Sequence, residues 1–107
     1  MPRFVTRNAF DAPKVLAAGA TEYSRWYEAS DVGLTGFLSY EHDITGSVDV
    51  TVQRSILGDS ATPVDVVTTT HTGKGIKDVD LPLAKFIRFK FTSAAGATIT
   101  AFRALFG

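Results

Sequence analysis

The stretch Ser47–Arg54, with the sequence SVDVTVQR, indicates the fold more clearly than any other part of the chain. Its valines occupy every second position and alternate with polar side chains, which is the pattern of a strand with one buried face. The stretch Lys85–Thr92 (KFIRFKFT) repeats this pattern, with Arg88 and Lys90 opposite its apolar residues. Phe86 shares the face of the two basic residues, so we expect that face to be partly covered. Both stretches predict strands.

The rest of the chain predicts a sheet of about eight short strands. Thirteen threonines and ten valines are many for 107 residues, and both side chains favour strands. Further strands are predicted at Glu22–Glu28, Leu34–His42, Val64–Thr70 and Ala97–Phe106. Turn signals separate the strands at Gly19, Gly33, Thr45-Gly46, Gly58-Asp59, Thr72–Gly75 and Ala95-Gly96. We therefore expect an all-β fold, an antiparallel β-sandwich of jelly-roll type.

Two segments leave room for a different local structure. Asp11–Ala18 can form one capped helical turn that ends at Gly19. Ala94–Leu105 is rich in alanine, but its threonines, Ile99 and Gly96 favour a strand over a helix. The apolar positions of this last strand do not keep one phase, which predicts either a bulge or burial on both faces.

Composition bounds the class of protein. The length suffices for one domain with its own core, and we expect a single sandwich domain over residues 13–107 after an N-terminal arm over residues 1–12. Because there is no cysteine, the chain has no disulfide, no thiolate metal site and no thiol nucleophile. The hydrophobic fraction of 45% excludes a disordered chain. A formal net charge of zero argues against nucleic acid as a partner.

No stretch resembles a targeting or membrane-spanning segment. The first apolar run, Val15–Ala18, is too short for the apolar region of a signal peptide and follows Asp11 and Lys14. No apolar stretch approaches the ~20 residues that span a bilayer. We therefore expect no signal peptide, no membrane partner and synthesis in the cytoplasm.

The charges are unevenly distributed along the chain. Residues 1–27 carry four basic and two acidic groups, residues 28–65 carry one and seven, and residues 66–107 carry six and two. The net charges of the three segments are thus +2, −6 and +4. Either the segments complement each other within one domain, or acidic and basic patches dock neighbouring copies in an assembly.

The polar residues form no recognisable catalytic or metal-binding motif. His42 lies in the run Glu41-His42-Asp43, which could ligate zinc together with His71, although a polar turn after a strand is the simpler interpretation. No Gly-x-Ser-x-Gly motif and no complete phosphate-binding loop is present, and Gly73-Lys74-Gly75 is better interpreted as the tip of a hairpin. We expect a protein that is not an enzyme, has no catalytic residues and uses no cofactor or metal.

Three aromatic residues are candidates for ligand binding. Trp26 is either a platform on which a sugar stacks, with Tyr40 nearby, or an anchor of the core. Tyr27 follows Trp26 directly, so in a strand the two rings face opposite ways. Tyr23 and Tyr27 are then expected together on the face opposite Trp26. The binding candidates are Trp26, Tyr27 and Tyr40.

The second half of the chain resembles two groups of β-sandwich proteins. The resemblance lies in the strand Val48–Ser55, the Gly58-Asp59 turn, the strand Lys85–Thr92 and the closing Gly96–Phe102. This order is similar to the jelly roll of galactose-binding-like (discoidin-type) domains. It also resembles short structural proteins of tailed bacteriophages, such as capsid decoration and tail components. The Asp-Gly-Ser expected of the first group is here Gly58-Asp59-Ser60, so no sugar-binding residues carry over.

The resemblance implies a structural protein of a virion that binds itself and other virion proteins. Phe4, Phe10 and Phe106 are then the apolar positions expected to be covered by neighbouring molecules, and the basic, aromatic segment Pro2–Phe10 is the expected docking arm. The alternative is a carbohydrate-binding module of galactose-binding-like type whose partner is a surface glycan.

Overall fold

The computed structural model of the chain describes residues 5–10, 13–28, 37–56, 63–80 and 85–106. These residues contain eight strands and no helix: β1 Val5–Asn8, β2 Lys14–Leu16, β3 Thr21–Tyr23, β4 Tyr27–Glu28, β5 Phe37–Ser55, β6 Val64–Asp80, β7 Phe86–Thr92 and β8 Ala97–Phe106. In this part of the chain no helix is long and apolar enough to cross a membrane. The strands pair antiparallel within one sheet that curls into a half-barrel. The prediction of an all-β antiparallel fold is confirmed, but the sheet is not divided into two separate layers.

β5 is the central strand of this sheet. β6 pairs with one edge of β5 over almost its whole length. On the other edge, β8 pairs with residues 38–45 of β5 and β7 pairs with residues 49–55. β1 and β2 lie outside β8, while β3 and β4 lie outside β7. Because β5 changes partner halfway along, the sheet has two wings that share the β5–β6 pair.

A bulge lies at the point where β5 changes partner. Residues 45–47 of β5 stand opposite Thr72 of β6, so three residues face one. Gly46 and Gly73 have positive φ angles of 97° and 67°, which glycine adopts without strain. A Cβ on Gly46 would also lie 3.0 Å from Cβ of Ala97. These glycines therefore bend two continuous strands at the place where β8 approaches β5 closely.

The bulge corrects two predicted turns. The signals at Thr45-Gly46 and Thr72–Gly75 were expected to end strands, but β5 and β6 continue through them. The described part of Leu34–His42 is thus joined to Ser47–Arg54 in one strand, and the strand predicted at Val64–Thr70 extends to Asp80. A short bulge and a tight turn both need glycine with positive φ, so the residue type alone cannot distinguish them.

The other predicted strands are confirmed with smaller changes. β7 and β8 match their predicted ranges to within one residue, and β8 contains a bulge opposite Asp43 and Ile44 of β5. The run Glu22–Glu28 is split into β3 and β4 after Tyr23. The Ser24 amide still donates to the Phe89 carbonyl at 2.9 Å, but the Phe89 amide donates to the side-chain Oγ of Ser24, also at 2.9 Å. Lys14–Leu16 is a strand rather than part of a helical turn.

The core lies on one face of the sheet, here called the inner face, and it is built around aromatic rings. Its fully enclosed rings are those of Tyr27, Tyr40, Phe89, Phe91, Phe102 and Phe106. The Phe102 ring is central, with ring centroids of Tyr40, Phe89 and Phe91 each 4.9 Å away. The alternating valines of Ser47–Arg54 also lie in this core, as predicted.

Part of the predicted N-terminal arm belongs to the sheet. β1 pairs antiparallel with β8, from Val5 opposite Phe106 to Asn8 opposite Arg103. The backbone of this segment is therefore held by β8 and does not project as a free docking arm. Residues 1–4, 11 and 12 of the predicted arm lie outside the described residues.

Candidate interaction surfaces

Two of the three predicted binding residues, Tyr27 and Tyr40, lie in the core. Tyr40 is 1% exposed, and its Oη lies 2.6 Å from Nε2 of His71. Tyr27 is 4% exposed and donates a hydrogen bond from its hydroxyl to the Asn8 carbonyl at 3.2 Å. Burial raises the pKa of Tyr40 to about 12 and also raises the pKa of Tyr27. This placement corrects the expectation of a platform, because core contacts cover both rings and leave no face for a sugar.

Two of the three predicted assembly residues contribute to the chain's own core. Phe106 is fully buried, with its ring centroid 5.2 Å from that of Tyr27. Phe10 is partly buried and packs its ring against Phe91 at 5.0 Å. These contacts are intramolecular. They correct the expectation for Phe106, which has no exposed surface for a neighbouring molecule to cover, while the expectation for the exposed part of Phe10 stays a prediction. Phe4 lies outside the described residues.

Trp26 lies on the outer face of the sheet, opposite the core, in a cluster that we call the arginine stack: Tyr23, Arg88 and Trp26. The Arg88 guanidinium carbon lies 4.1 Å from the Tyr23 ring centroid and 4.5 Å from that of Trp26. Trp26 is partly buried and Tyr23 is 45% exposed. Trp26 is thus neither the predicted core anchor nor a wholly free platform, and Tyr23 shares its cluster instead of lying with Tyr27.

A chain of hydrogen bonds connects the arginine stack to the edge of the sheet. Nε of Arg88 donates to Oε1 of Gln53 at 2.8 Å, and Nε2 of Gln53 donates to Oδ1 of Asp65 at 2.8 Å. Arg88 and Gln53 are 7% and 5% exposed, which is low for residues on an outer face. The two rings help to cover the guanidinium, and its cation–π contacts with both of them offset part of the cost of burying its charge.

The arginine stack has the chemical character of a site for a neutral polar ligand. Half-exposed aromatic rings can stack on the apolar face of a sugar, while neighbouring polar groups can bind its hydroxyls. The sequence contains a hint of this cluster, since Phe86 on the polar face predicts a covered outer surface. The pairing of Arg88 with Tyr23 and Trp26, however, depends on how β3 and the 24–26 segment meet β7, which no pattern in the sequence indicates.

The two histidines lie side by side on the inner face of the β5–β6 pair. Their ring centroids are 4.2 Å apart, and Nδ1 of His42 donates to the Gly73 carbonyl at 2.9 Å. Gly75 leaves room for His42, because a Cβ there would lie 2.9 Å from its Nε2. Burial is the main cause that lowers the pKa of His71, and His42 and Lys77 lower it further.

The acidic residues on either side of His42 in the sequence do not lie on the same face as the two histidines. Glu41 is exposed and forms an ion pair with Arg103 at 3.2 Å. Since side chains alternate along β5, Glu41 and Asp43 face away from His42. Within the described residues, no three His, Cys, Asp or Glu side chains are grouped so that they could hold a metal ion. The histidine pair instead accepts or donates hydrogen bonds within the sheet.

The most extensive unpartnered feature is the free edge of β6. This strand has 17 residues, and among the described strands it pairs only with β5. Val79 is the one buried residue along it. Ile76 is 72% exposed and Val64 is 55% exposed. The edge therefore offers backbone hydrogen-bonding groups together with exposed apolar side chains.

Comparison with known proteins does not assign the chain to a group. No family model matches its sequence, and no curated protein matches it.

Proposed function

We propose that this chain is a non-enzymatic structural protein of a virion, a capsid decoration or tail component, that acts through protein–protein contacts. The free edge of β6 is the observation that carries the proposal. A strand edge of this length pairs readily with a strand of another chain, which supplies main-chain hydrogen bonds. Covering Ile76 and Val64 adds a hydrophobic contribution.

Two further features support a structural role. The histidines are the side chains best suited to acid–base catalysis near neutral pH. Here Nε2 of His71 is directed to the Tyr40 hydroxyl and Nδ1 of His42 to the Gly73 carbonyl, so each ring uses one nitrogen within the sheet. The order of strands and turns from Ser47 to Leu105 resembles that of short β-sandwich structural proteins of tailed bacteriophages. A protein of this kind needs a stable fold and a strand edge that can pair with another chain, and it does not need a reactive site.

An edge-blocking variant tests the protein–protein contact. We expect Ile76→Lys to fold normally, because the side chain is 72% exposed, and to associate less than the wild type, because a lysine on an edge opposes strand pairing. Val15→Lys is the matched control, since Val15 is also 72% exposed but lies on β2. Sedimentation velocity over a wide concentration range measures the association. Equal association of all three proteins contradicts a role for the β6 edge.

The virion assignment is tested in the genome that encodes the chain. Neighbouring genes for capsid, portal or tail proteins would support it, and mass spectrometry of purified particles would then detect the chain. Neighbouring genes for glycoside hydrolases would contradict it and favour carbohydrate binding.

The arginine stack favours carbohydrate binding as a second candidate function. Tyr23 supplies an exposed ring beside Trp26, and Arg88, Gln53 and Asp65 supply polar groups nearby. This arrangement replaces the predicted pairing of Trp26 with Tyr40, which the core encloses.

A glycan array followed by titration of any bound glycan tests this second function. We expect Tyr23→Ala and Trp26→Ala to weaken binding by roughly tenfold or more, since loss of a stacked ring removes most of the apolar contact. Phe86→Ala is the control, because Phe86 is an aromatic residue on the same outer face but lies outside the stack. An array without a bound glycan, or equal losses in all three variants, contradicts a sugar site at the arginine stack.

A further inference from the structure

The part of β6 beyond the bulge has a regular edge with a distinctive order of side chains. From Gly73 to Asp80, β6 pairs with β5 without a shift in register. Lys74, Ile76 and Asp78 alternate on the outer face and are all exposed. An apolar residue thus stands between a basic and an acidic residue at equal distances along the strand.

Symmetry limits how this edge can meet a second copy of itself. Two antiparallel edges are related by a two-fold axis normal to the sheet, so the outer face of one copy continues into the outer face of the other. Residues opposite each other must then point to the same face, and the axis must pass through a residue position. Within the regular segment, the positions with at least two residues on each side are Gly75, Ile76, Lys77 and Asp78.

One of these registers is complementary in charge. An axis at Ile76 places Ile76 opposite its own copy and places each Lys74 opposite an Asp78 of the second copy. An axis at Lys77 instead brings two lysines together, and an axis at Asp78 brings two aspartates together. An axis at Gly75 sets Lys74 against Ile76. Opposite charges and apolar pairs across strands are favourable, whereas like charges directly opposite are not.

We propose that two copies of this chain pair antiparallel through the β6 edge, with the two-fold axis at Ile76 and two Lys74–Asp78 ion pairs flanking it. The inference rests on the proposed function and names the partner and register of the edge described there. The two sheets then form one continuous sheet across the dimer. Asp78 already accepts a hydrogen bond from Ser39 Oγ at 2.6 Å, which holds its carboxylate on the outer face beside β5.

Cysteine cross-linking tests this register directly, because the natural chain contains no cysteine. In the proposed dimer the two copies of residue 76 are neighbours across an antiparallel pair, at a Cα separation that a disulfide can bridge. We expect Ile76→Cys to form disulfide-linked dimers on the order of tenfold faster than Val15→Cys at the same concentration, because pairing raises the local thiol concentration. Val15 has the same 72% exposure, so random collisions are matched.

Charge reversal in the Ile76→Cys background tests the flanking pairs. Lys74→Asp or Asp78→Lys alone sets like charges opposite each other and is expected to slow cross-linking several-fold. The double variant Lys74→Asp/Asp78→Lys restores opposite pairs and is expected to restore the rate. Equal rates for Ile76→Cys and Val15→Cys, or no recovery in the double variant, overturn the proposed register. If Ile76→Lys still reduces association in that case, the edge binds in another register and the proposed function stands.

Discussion

β5 and β6 are antiparallel partners of similar length, and β6 contains more Val and Thr residues than β5, eight against five, yet β6 is the more exposed strand. On β5 the inner-face side chains from Leu38 to Val52 are buried, and several outer-face side chains are buried as well. On β6 only Val79 is buried. β5 has strands on both edges, whereas β6 has a described neighbour on one edge only. Position in the sheet, rather than local composition, therefore decides which strand forms the core and which is free to bind.

Substitution of the two bulge glycines should give the largest difference in stability loss between β5 and β6. We expect Gly46→Ala on β5 to lower the free energy of unfolding by about 3 kcal/mol, because it combines a strained positive φ with a clash against Ala97. Gly73→Ala on β6 carries only the strain, since a Cβ there has no atom within 4 Å, and should cost about 1 kcal/mol. Urea denaturation followed by circular dichroism measures both. Equal losses would show that the close approach of β8 at Gly46 is unimportant.

Two valines that face each other provide the next comparison. Val52 on β5 and Val67 on β6 are register partners on the inner face, but Val52 is 0% exposed and Val67 is only partly buried. We expect Val52→Ala to cost about 2 kcal/mol and Val67→Ala about half as much, because only the first leaves an enclosed cavity. The denaturation midpoints of the two variants and the wild type give the difference. A larger loss at Val67 would contradict the edge position of β6.

A sequence can predict the alternation of apolar and polar side chains along a strand, but it does not show which strands lie side by side. The core faces of Ser47–Arg54 and Lys85–Thr92 follow from a period of two, and both are confirmed. The glycine signals at 45–46 and 72–75 were misinterpreted because a bulge and a turn need the same φ. Tyr40 looked like a possible platform because its neighbours in space, Phe102 and His71, are far away in sequence. The arginine stack was missed for the same reason.

The hydrogen-bond chain on the outer face includes one residue of β5, Gln53, and one residue of β6, Asp65. Gln53 on β5 is buried and accepts from Arg88, while Asp65 on β6 is exposed and only accepts from Gln53. We expect Gln53→Ala to cost about 1.5 kcal/mol, since it removes the acceptor of Arg88 Nε at a buried site. Asp65→Ala should cost less than about 0.5 kcal/mol, because water can replace an exposed carboxylate. Thermal or urea unfolding measures both, and a loss at Asp65 as large as that at Gln53 would contradict this order.

The smallest expected effect is a pH dependence that arises where β6 approaches the core. His71 is the register partner of Val48, and it lies beside His42 and Lys77 on the inner face. Burial, with smaller contributions from these two neighbours, holds the pKa of His71 below its usual 6.5, so the unfolded chain binds a proton that the folded chain does not. The stabilisation that His71 contributes is therefore complete above pH 6.5 and is lost as the pH falls from 6.5 through the lower pKa of the folded state. Urea midpoints between pH 8 and pH 5 should decrease less in His71→Gln than in the wild type, because glutamine keeps a polar group beside Tyr40 but does not titrate. If the urea midpoint changed equally with pH in both proteins, protonation of His71 would have no effect on stability. The inner face of β6 would then be open to solvent at His71, and the core would end at β5.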